Sequence, residues 1–526
     1  MRNGQGGSAG DTIRCGARSS SLRDSTTEGL MSMNDNPPAA TTDAARPATM
    51  PGRGPLTAVP LAFAMTTSVI ALLVVVPLLG KIGLSLHASP TATAWSLISV
   101  TLISGVTTPV FGRLGDMFGY RKMLIAAFTL LAIGTVICAL APNTAVFLTG
   151  RVLQGFVGGT LPLAIGVVRN NVQAERVRTS IGMIVAGEGV GVGIGYILGG
   201  LLQNYSWQIT FWVILAPTAL SLLFVILTVP RASEAQKRTR RFDLLGALLL
   251  VAGTFMLLLP LSEGSTWGWS SGRTLALFAG GAVVLFLWSA WESRASDPLV
   301  DLRQCANAPF VLTNAVGFCF GIGVGAFFLL FVGYAATPPQ LAGYGFGASV
   351  LHAGSFLLPN AVVTLIAGPI VGAIAQRIGA RPVLAMGTVL GAAMFFGLAG
   401  AHNQQWELYS GSGVWGLAVA CLLTGMYSLI AETAAASGAG VTQGINSLVY
   451  AVGVATGSAA TTAVLAARTI PRTPISVPAG YQHAYIMCGL ATVAALIVAL
   501  TEARLARRRV AGSALPASAQ PTVGTA

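Results

Sequence analysis

The chain has 526 residues, 54% of them apolar and only 9% charged, with a mean hydropathy of +0.72. Soluble domains carry roughly a quarter charged residues, so a water-soluble globule is excluded. The formal charge of +13, from 30 Lys and Arg against 17 Asp and Glu, would suit a nucleic-acid binder on a soluble chain, and the placement of those charges decides the matter.

Residues 1–55 mix Gly, Ser, Thr, Pro and both charges without apolar periodicity, which predicts a disordered tail. Met31, Met33 and Met50 are alternative starts, and the first apolar run has the length of a full span rather than of a signal-peptide core. A bilayer core about 30 Å thick needs around 20 apolar residues in a helix, because each backbone amide must be satisfied within the crossing. Six runs of that size precede a basic break: 56–80, 92–112, 123–141, 146–168, 179–202 and 209–230. After residues 231–242 come two more, 243–262 and 274–291, and then six others: 309–333, 347–372, 383–401, 412–432, 441–467 and 484–501. The expected architecture is all-α integral membrane, with fourteen transmembrane helices in a six, two, six order. Residues 56–230 and 309–504 form two pseudo-symmetric six-helix bundles, 231–308 a linker carrying two extra helices, and 505–526 a C-terminal tail.

An even number of crossings puts both termini on one side. On this map 25 Lys and Arg lie in the tails and loops of that side and 4 on the other, or 21 against 4 without the distant Arg2, Arg14, Arg18 and Arg23. The positive-inside rule makes the terminal side cytoplasmic. The remaining base, Arg151, falls inside a span. Topology therefore accounts for the positive charge, and no nucleic-acid role is expected. Trp207, Trp212, Trp267, Trp269 and Trp406 fall near span ends, where an interfacial belt is expected. The six cysteines are scattered without a CxxC pair, so neither a disulfide framework nor a metal site is expected. No GxxxxGK[ST] loop, HExxH or GxSxG occurs. Neither direct use of ATP nor an enzyme is indicated, and no cofactor is expected.

Between spans 2 and 3 the chain reads Gly112-Arg113-Leu-Gly-Asp116-Met-Phe-Gly119-Tyr-Arg121-Lys122. So short a turn needs glycine for unusual backbone angles and close approach, and its acid and bases can work with helix dipoles. A second copy lies 260 residues downstream, where Gly372, Gln376, Gly379 and Arg381 repeat the spacing of Gly112, Asp116, Gly119 and Arg121 with the acid lost. Paired halves of this kind are the usual basis of alternating access in transporters.

The loop resembles the signature of the major facilitator superfamily, and the six-two-six order resembles its fourteen-span drug:proton antiporters of the EmrB/QacA type. The resemblance covers residues 56–505 and extends to Arg151-Val-Leu-Gln154-Gly155, Trp267-Gly-Trp269 and Asp297-Pro-Leu-Val-Asp301-Leu. It implies a latch between the halves made by Gly112, Arg113, Asp116, Gly119, Arg121 and Lys122 acting on the cytoplasmic end of span 13, and it associates Arg151 with proton coupling. Two departures stand out. The antiporter motif of the family has Pro where Tyr196 stands, and the span-1 position that carries an aspartate holds Ser68, with Thr66 and Thr67 before it.

Inside the spans, an ionised Arg151 costs at least about 2.5 kcal/mol unless paired or wet, which marks it as functional; snorkelling to the outer surface is the structural alternative. Glu188 is read as the only carboxylate well inside a span and as the proton-carrier candidate, with an interhelical hydrogen bond as the alternative. Counting residues places Glu188 too deep to pair with Arg151. His352 is a further candidate for proton coupling, against a packing role. Gly187, Gly191, Gly195 and Gly199 recur every fourth residue and form a stripe for close helix approach, on which span 5 can pivot. Gly453 and Gly457 mirror it in span 13. Ser68, Gln154, Asn360, Gln443, Asn446 and Tyr450 are the candidates for lining a substrate cavity.

The expected function is export of amphipathic drugs or other apolar molecules in exchange for protons, from a bacterial plasma membrane. The alternative is passage of an endogenous lipid or metabolite with weak or no proton coupling, which Ser68 and Tyr196 favour. The expected partners are small-molecule cargo, protons and membrane lipids, and a monomer suffices.

Overall fold

A computed structural model describes residues 54–231, 242–295, 297–433, 439–470, 473 and 475–513. The N-terminal tail, nearly all of the basic 231–242 connection and the last residues of the C-terminal tail lie outside the described residues. Among the described residues, fourteen helices are long and apolar enough to cross a membrane. Spans 1 to 6 are Thr57–Ser85, Thr91–Phe118, Tyr120–Ala139, Thr144–Asn171, Ala174–Leu202 and Trp207–Thr228. Spans 7 and 8 are Leu244–Trp267 and Gly272–Glu292. Spans 9 to 14 are Ala308–Ala336, Val350–Ile378, Ala380–Gly400, Gln405–Glu432, Ala439–Ala466 and Pro478–Leu505. The last helix continues to Ser513, into the segment expected as a tail.

Breaks in the spans follow from residues that cannot continue a helix, and their freed backbone groups find partners. Pro77 lies in a single 3-10 turn, Val76–Leu78, that interrupts span 1. In span 4 the glycine-rich stretch Phe156–Gly159 winds as a 3-10 turn between Thr144–Gly155 and Thr160–Asn171. Carbonyl groups left over there accept from span 2, Gly155 from the Ser104 hydroxyl at 2.9 Å and Gly158 from the Thr108 hydroxyl at 3.1 Å. In hydrocarbon such groups have no water to turn to, so a neighbouring side chain must supply the bond.

Two sets of six spans repeat one arrangement. Gly119 and Gly379 end spans 2 and 10 with φ of 95° and 94°, a region that favours glycine, and Pro109 and Pro369 occupy matching interior positions. The Arg121 guanidinium donates to the Ile226 carbonyl at the end of span 6 at 2.7 Å. Its counterpart Arg381 grips both carboxylate oxygens of Glu502, near the end of span 14, at 2.9 Å. Each loop thereby fastens to the last helix of its own set.

The Gly187, Gly191, Gly195, Gly199 stripe packs on span 1. A methyl at Gly187 would lie 2.2 Å from the Ala62 carbonyl oxygen, and one at Gly199 would lie 2.4 Å from that of Val74. Span 13 packs on span 9 in the same way, with Gly457 facing the Ile322 carbonyl and Gly325 that of Val454, both at 2.0 Å. These contacts hold helices of one set together. The contact between sets is made by other glycines of span 5: a Cβ at Gly182 would lie 2.1 Å from the Gly368 carbonyl, at Gly189 2.4 Å from the Thr364 side chain, and at Gly193 2.4 Å from Ala361. Their 7- and 4-residue spacings set them on a second face, one that the four-residue stripe does not mark.

Spans 7 and 8 lie outside the paired bundles. Leu258 and Leu259 of span 7 cluster with Leu102 of span 2 and Val452 and Ala455 of span 13, so the insert leans on the line where the two sets meet. Span 8 is largely exposed to the lipid side, Phe286 at 71%. Asp243 caps span 7 through the Gly246 amide at 2.8 Å and accepts from the Trp291 indole at 2.9 Å. Span 7 runs to Trp267, so Glu263 lies in its last turns, 3% exposed. Trp207 also departs from the belt expectation: it is 2% exposed, sits edge-on to Phe147 and Phe211, and donates to the Ser85 hydroxyl at 2.9 Å.

Candidate functional site: the seam between the halves

At the end of the molecule that bears Asp116, two contacts close the seam, and they are built on opposite charges. Asp116 Oδ1 accepts from the Gly440 amide at 3.0 Å and Oδ2 from the Val441 amide at 3.1 Å, while the Tyr120 hydroxyl donates to Oδ1. These amides open span 13, so the carboxylate caps a helix N-terminus, where unpaired donors and the positive end of the dipole meet. Close approach requires Gly112, since a methyl there would lie 2.2 Å from the Gly440 carbonyl oxygen. Arg113 is buried within electrostatic reach of Asp116, and Lys122 is exposed.

The second contact joins the repeat of that loop to span 5. Gln376 stands where the first copy has Asp116, and its amide donates to the Ala174 carbonyl at 3.0 Å. The charge comes instead from Arg178, which donates to the Ala375 carbonyl at 2.7 Å and to Glu432 Oε1 at 2.8 Å. A cation at the carbonyl end of span 10 has the same dipole logic with signs reversed. A methyl at Gly372 would lie 2.7 Å from the Arg178 carbonyl oxygen, which makes it the counterpart of Gly112. Arg178 had no mark in the sequence beyond its place in a basic loop.

These contacts should differ in weight. A bond from a cation to a buried carbonyl is worth about 1.5–3 kcal/mol, whereas an exposed ion pair is worth about 0–1 kcal/mol, and the Arg178 and Glu432 side chains are 23% and 41% exposed. Arg178→Ala is therefore expected to widen spin-label distances across this end of the seam, and Glu432→Gln to leave them close to wild type. Equal widening in both variants would show that the ion pair dominates.

Glu188 projects from span 5 on the flank shared by Val192 and Tyr196, away from the lipid-facing Ile194 and Leu201. It is half-buried, makes no hydrogen bond to protein among the described residues, and lies within electrostatic reach of Tyr427 in span 12 and Tyr450 in span 13. A carboxylate of the first half thus faces two phenols of the second. Tyr450 was expected at the site; Tyr427, 1% exposed, was hidden in an apolar run. Thr66 of span 1 donates to the Gly187 carbonyl at 2.9 Å, which pins the backbone beside Glu188.

Arg151 is 0% exposed and does not snorkel. Its Nε donates to the Ser96 carbonyl at 2.8 Å, and Nη1 to Gln154 Oε1 at 2.6 Å and to the Ala71 carbonyl at 3.4 Å. Gln154 passes the connection to Thr135 at 2.9 Å. One guanidinium thereby links spans 1, 2, 3 and 4, and Gln154 serves it, 1% exposed, inside the first bundle. No bond joins Arg151 to Glu188.

The remaining candidates are dispersed. Ser68 is 7% exposed and its hydroxyl is spent on the Ala64 carbonyl at 2.9 Å. His352 is exposed near the start of span 10, at the end opposite Asp116, stacked on Phe356 with centroids 5.4 Å apart. Gln443, Asn446 and Asn314 form a buried amide chain between spans 13 and 9, with bonds of 3.4 and 3.2 Å. Asn360 is buried against span 12, where its backbone N–H donates to the Ser412 hydroxyl at 3.2 Å.

The family model of the Major Facilitator Superfamily matches residues 61–337, just over half of the chain. The chain belongs to the major facilitator superfamily. It is 29% identical over 396 residues, 73% of this chain and 70% of the relative, to the tetracenomycin C resistance and export protein of Streptomyces glaucescens. It is also 29% identical over 379 residues to the multidrug resistance protein Stp of Mycobacterium tuberculosis, covering 71% of this chain and 68% of that one. The crystal structure of the human organic anion transporter MFSD10 (TETRAN) shares the fold, with a TM-score of 0.59 and 15% identity over 85% of this chain and 100% of that chain. As a superfamily member with fourteen spans, the chain is a membrane transporter and not an enzyme.

Proposed function

We propose that this transporter exports amphipathic drugs or other apolar small molecules in exchange for protons, by alternating access of a site on the seam. The Asp116 end faces the cytoplasm, as do both termini, and the membrane is the bacterial plasma membrane. The reading is carried by Glu188, a carboxylate without a protein hydrogen bond, set on the seam opposite Tyr427 and Tyr450. A group there can load a proton while the halves part on one side and release it on the other. The names of the two bacterial relatives support export and drug-like cargo.

The test is cargo-induced proton movement in proteoliposomes. Wild-type protein is expected to release protons when cationic dyes are added, and Glu188→Gln to abolish that release while dye binding persists. Proton release unchanged in Glu188→Gln would remove Glu188 from the mechanism. A second reading has support in Ser68, which stands at the span-1 position where the resemblance implies an aspartate and whose hydroxyl is occupied within its own helix. On that reading the cargo is an endogenous lipid or metabolite, and export persists after a protonophore collapses the gradient.

A further inference from the structure

Tyr196 of span 5 and Phe328 of span 9 stack across the seam, with ring centroids 5.9 Å apart and planes inclined by 13°. Every other ring pair among the described residues lies within one half. Tyr196 stands where the related antiporters have proline. Its side chain is on the flank of span 5 that bears Glu188, eight residues on, or about 12 Å at helical rise, toward the end away from Asp116. Its hydroxyl makes no hydrogen bond to protein among the described residues. Phe328 is half-buried and leads into a run of rings in the second half: it meets Phe327 edge-on at 5.4 Å, and Phe327 stacks on Trp415 at 5.6 Å.

We propose that Tyr196 and Phe328 form an outer slot of the cargo site that takes flat aromatic rings between them. The two rings are near parallel and belong to different halves, so a small separation of the halves opens a gap bounded by two parallel faces. Such a gap fits a planar ring system, which replaces each face's lost partner, and excludes a bulky non-planar group. Aromatic stacking favours offset parallel faces of this kind. The inference rests on the reading of the seam as the cargo path.

The experiment measures binding without a gradient, in detergent, so that it is blind to proton coupling. The probes are two lipophilic cations, planar ethidium and non-planar tetraphenylphosphonium, applied to wild type and to Tyr196→Leu, Phe328→Leu and Tyr196→Phe, each checked for a wild-type melting curve. Each leucine variant is expected to weaken ethidium by about 2- to 10-fold, the value of one stacked face, with tetraphenylphosphonium unchanged and Tyr196→Phe close to wild type. Equal loss of both dyes, or no loss of either, would overturn the slot. Loss of proton release in Glu188→Gln bears on the export mechanism alone.

Discussion

Asp116→Asn is expected to open the latched end of the seam and to lower transport sharply. The carboxylate gives one oxygen to each of two backbone amides at the start of span 13 and also receives the Tyr120 hydroxyl. Asparagine keeps one acceptor oxygen, turns an NH2 group toward the other amide, and removes the charge that complements the helix N-terminus. A lost charge-assisted bond is worth about 1.5–3 kcal/mol, which corresponds to a shift of roughly 10- to 150-fold between latched and unlatched populations. Gly112 sits in backbone contact with Gly440, so no neighbouring side chain can enter to replace the bond. Spin labels on spans 2 and 13 should report a broader and longer distance distribution, and dye export should fall in parallel. An unchanged distribution with full export would show that Gln376 and Arg178 hold this end closed unaided.

The second large effect is expected at Arg151. Because this guanidinium serves Ser96, Ala71 and Gln154 at once, Arg151→Ala takes this donor from three acceptors around a fully buried side chain. A hydrogen bond from a charged donor is worth about 1.5–3 kcal/mol, and removal of the long buried stem adds a void, so a loss of about 2–5 kcal/mol is expected. Arg151→Lys should recover only part of it, since an ammonium lacks the planar fork that reaches three directions. Thermal unfolding in detergent, followed by the retention of a monodisperse peak, reads the effect. If Arg151→Lys melted like wild type while proton release was lost, the residue would act in coupling and not as the tie of the first four spans.

Much of the site was legible as residue types and spacings. The repeat of Gly112, Asp116, Gly119 and Arg121 at Gly372, Gln376, Gly379 and Arg381 foretold two loops of one design, and both glycines do end their helices with matching positive φ. What the repeat concealed was the exchange of charge between its copies. The loss of the acid at Gln376 reads as decay of the motif, yet the contact survives because Arg178, on a helix distant in sequence, supplies a cation to the carbonyl end of span 10. Glycine periodicity was similarly half informative. The four-residue stripe of span 5 does mark close packing, against span 1, but the face toward span 10 is carried by Gly182, Gly189 and Gly193. Glu188 and Tyr450 were singled out separately; nothing local to either indicated that they lie within electrostatic reach of one another, or that Tyr427 does too.

Composition and hydropathy alone determined that the chain lives in lipid, crosses fourteen times in a six, two, six order, and carries a duplicated loop. These are properties of short windows, because the bilayer tests each helix separately for apolar length and internally satisfied amides. The tertiary structure decided which faces touch: Asp116 on the start of span 13, Arg178 on the end of span 10, Arg151 among the first four spans, and Tyr196 over Phe328. Each residue turns a helix face by 100°, so partners tens to hundreds of positions apart are set by packing of whole helices, which no window of sequence contains.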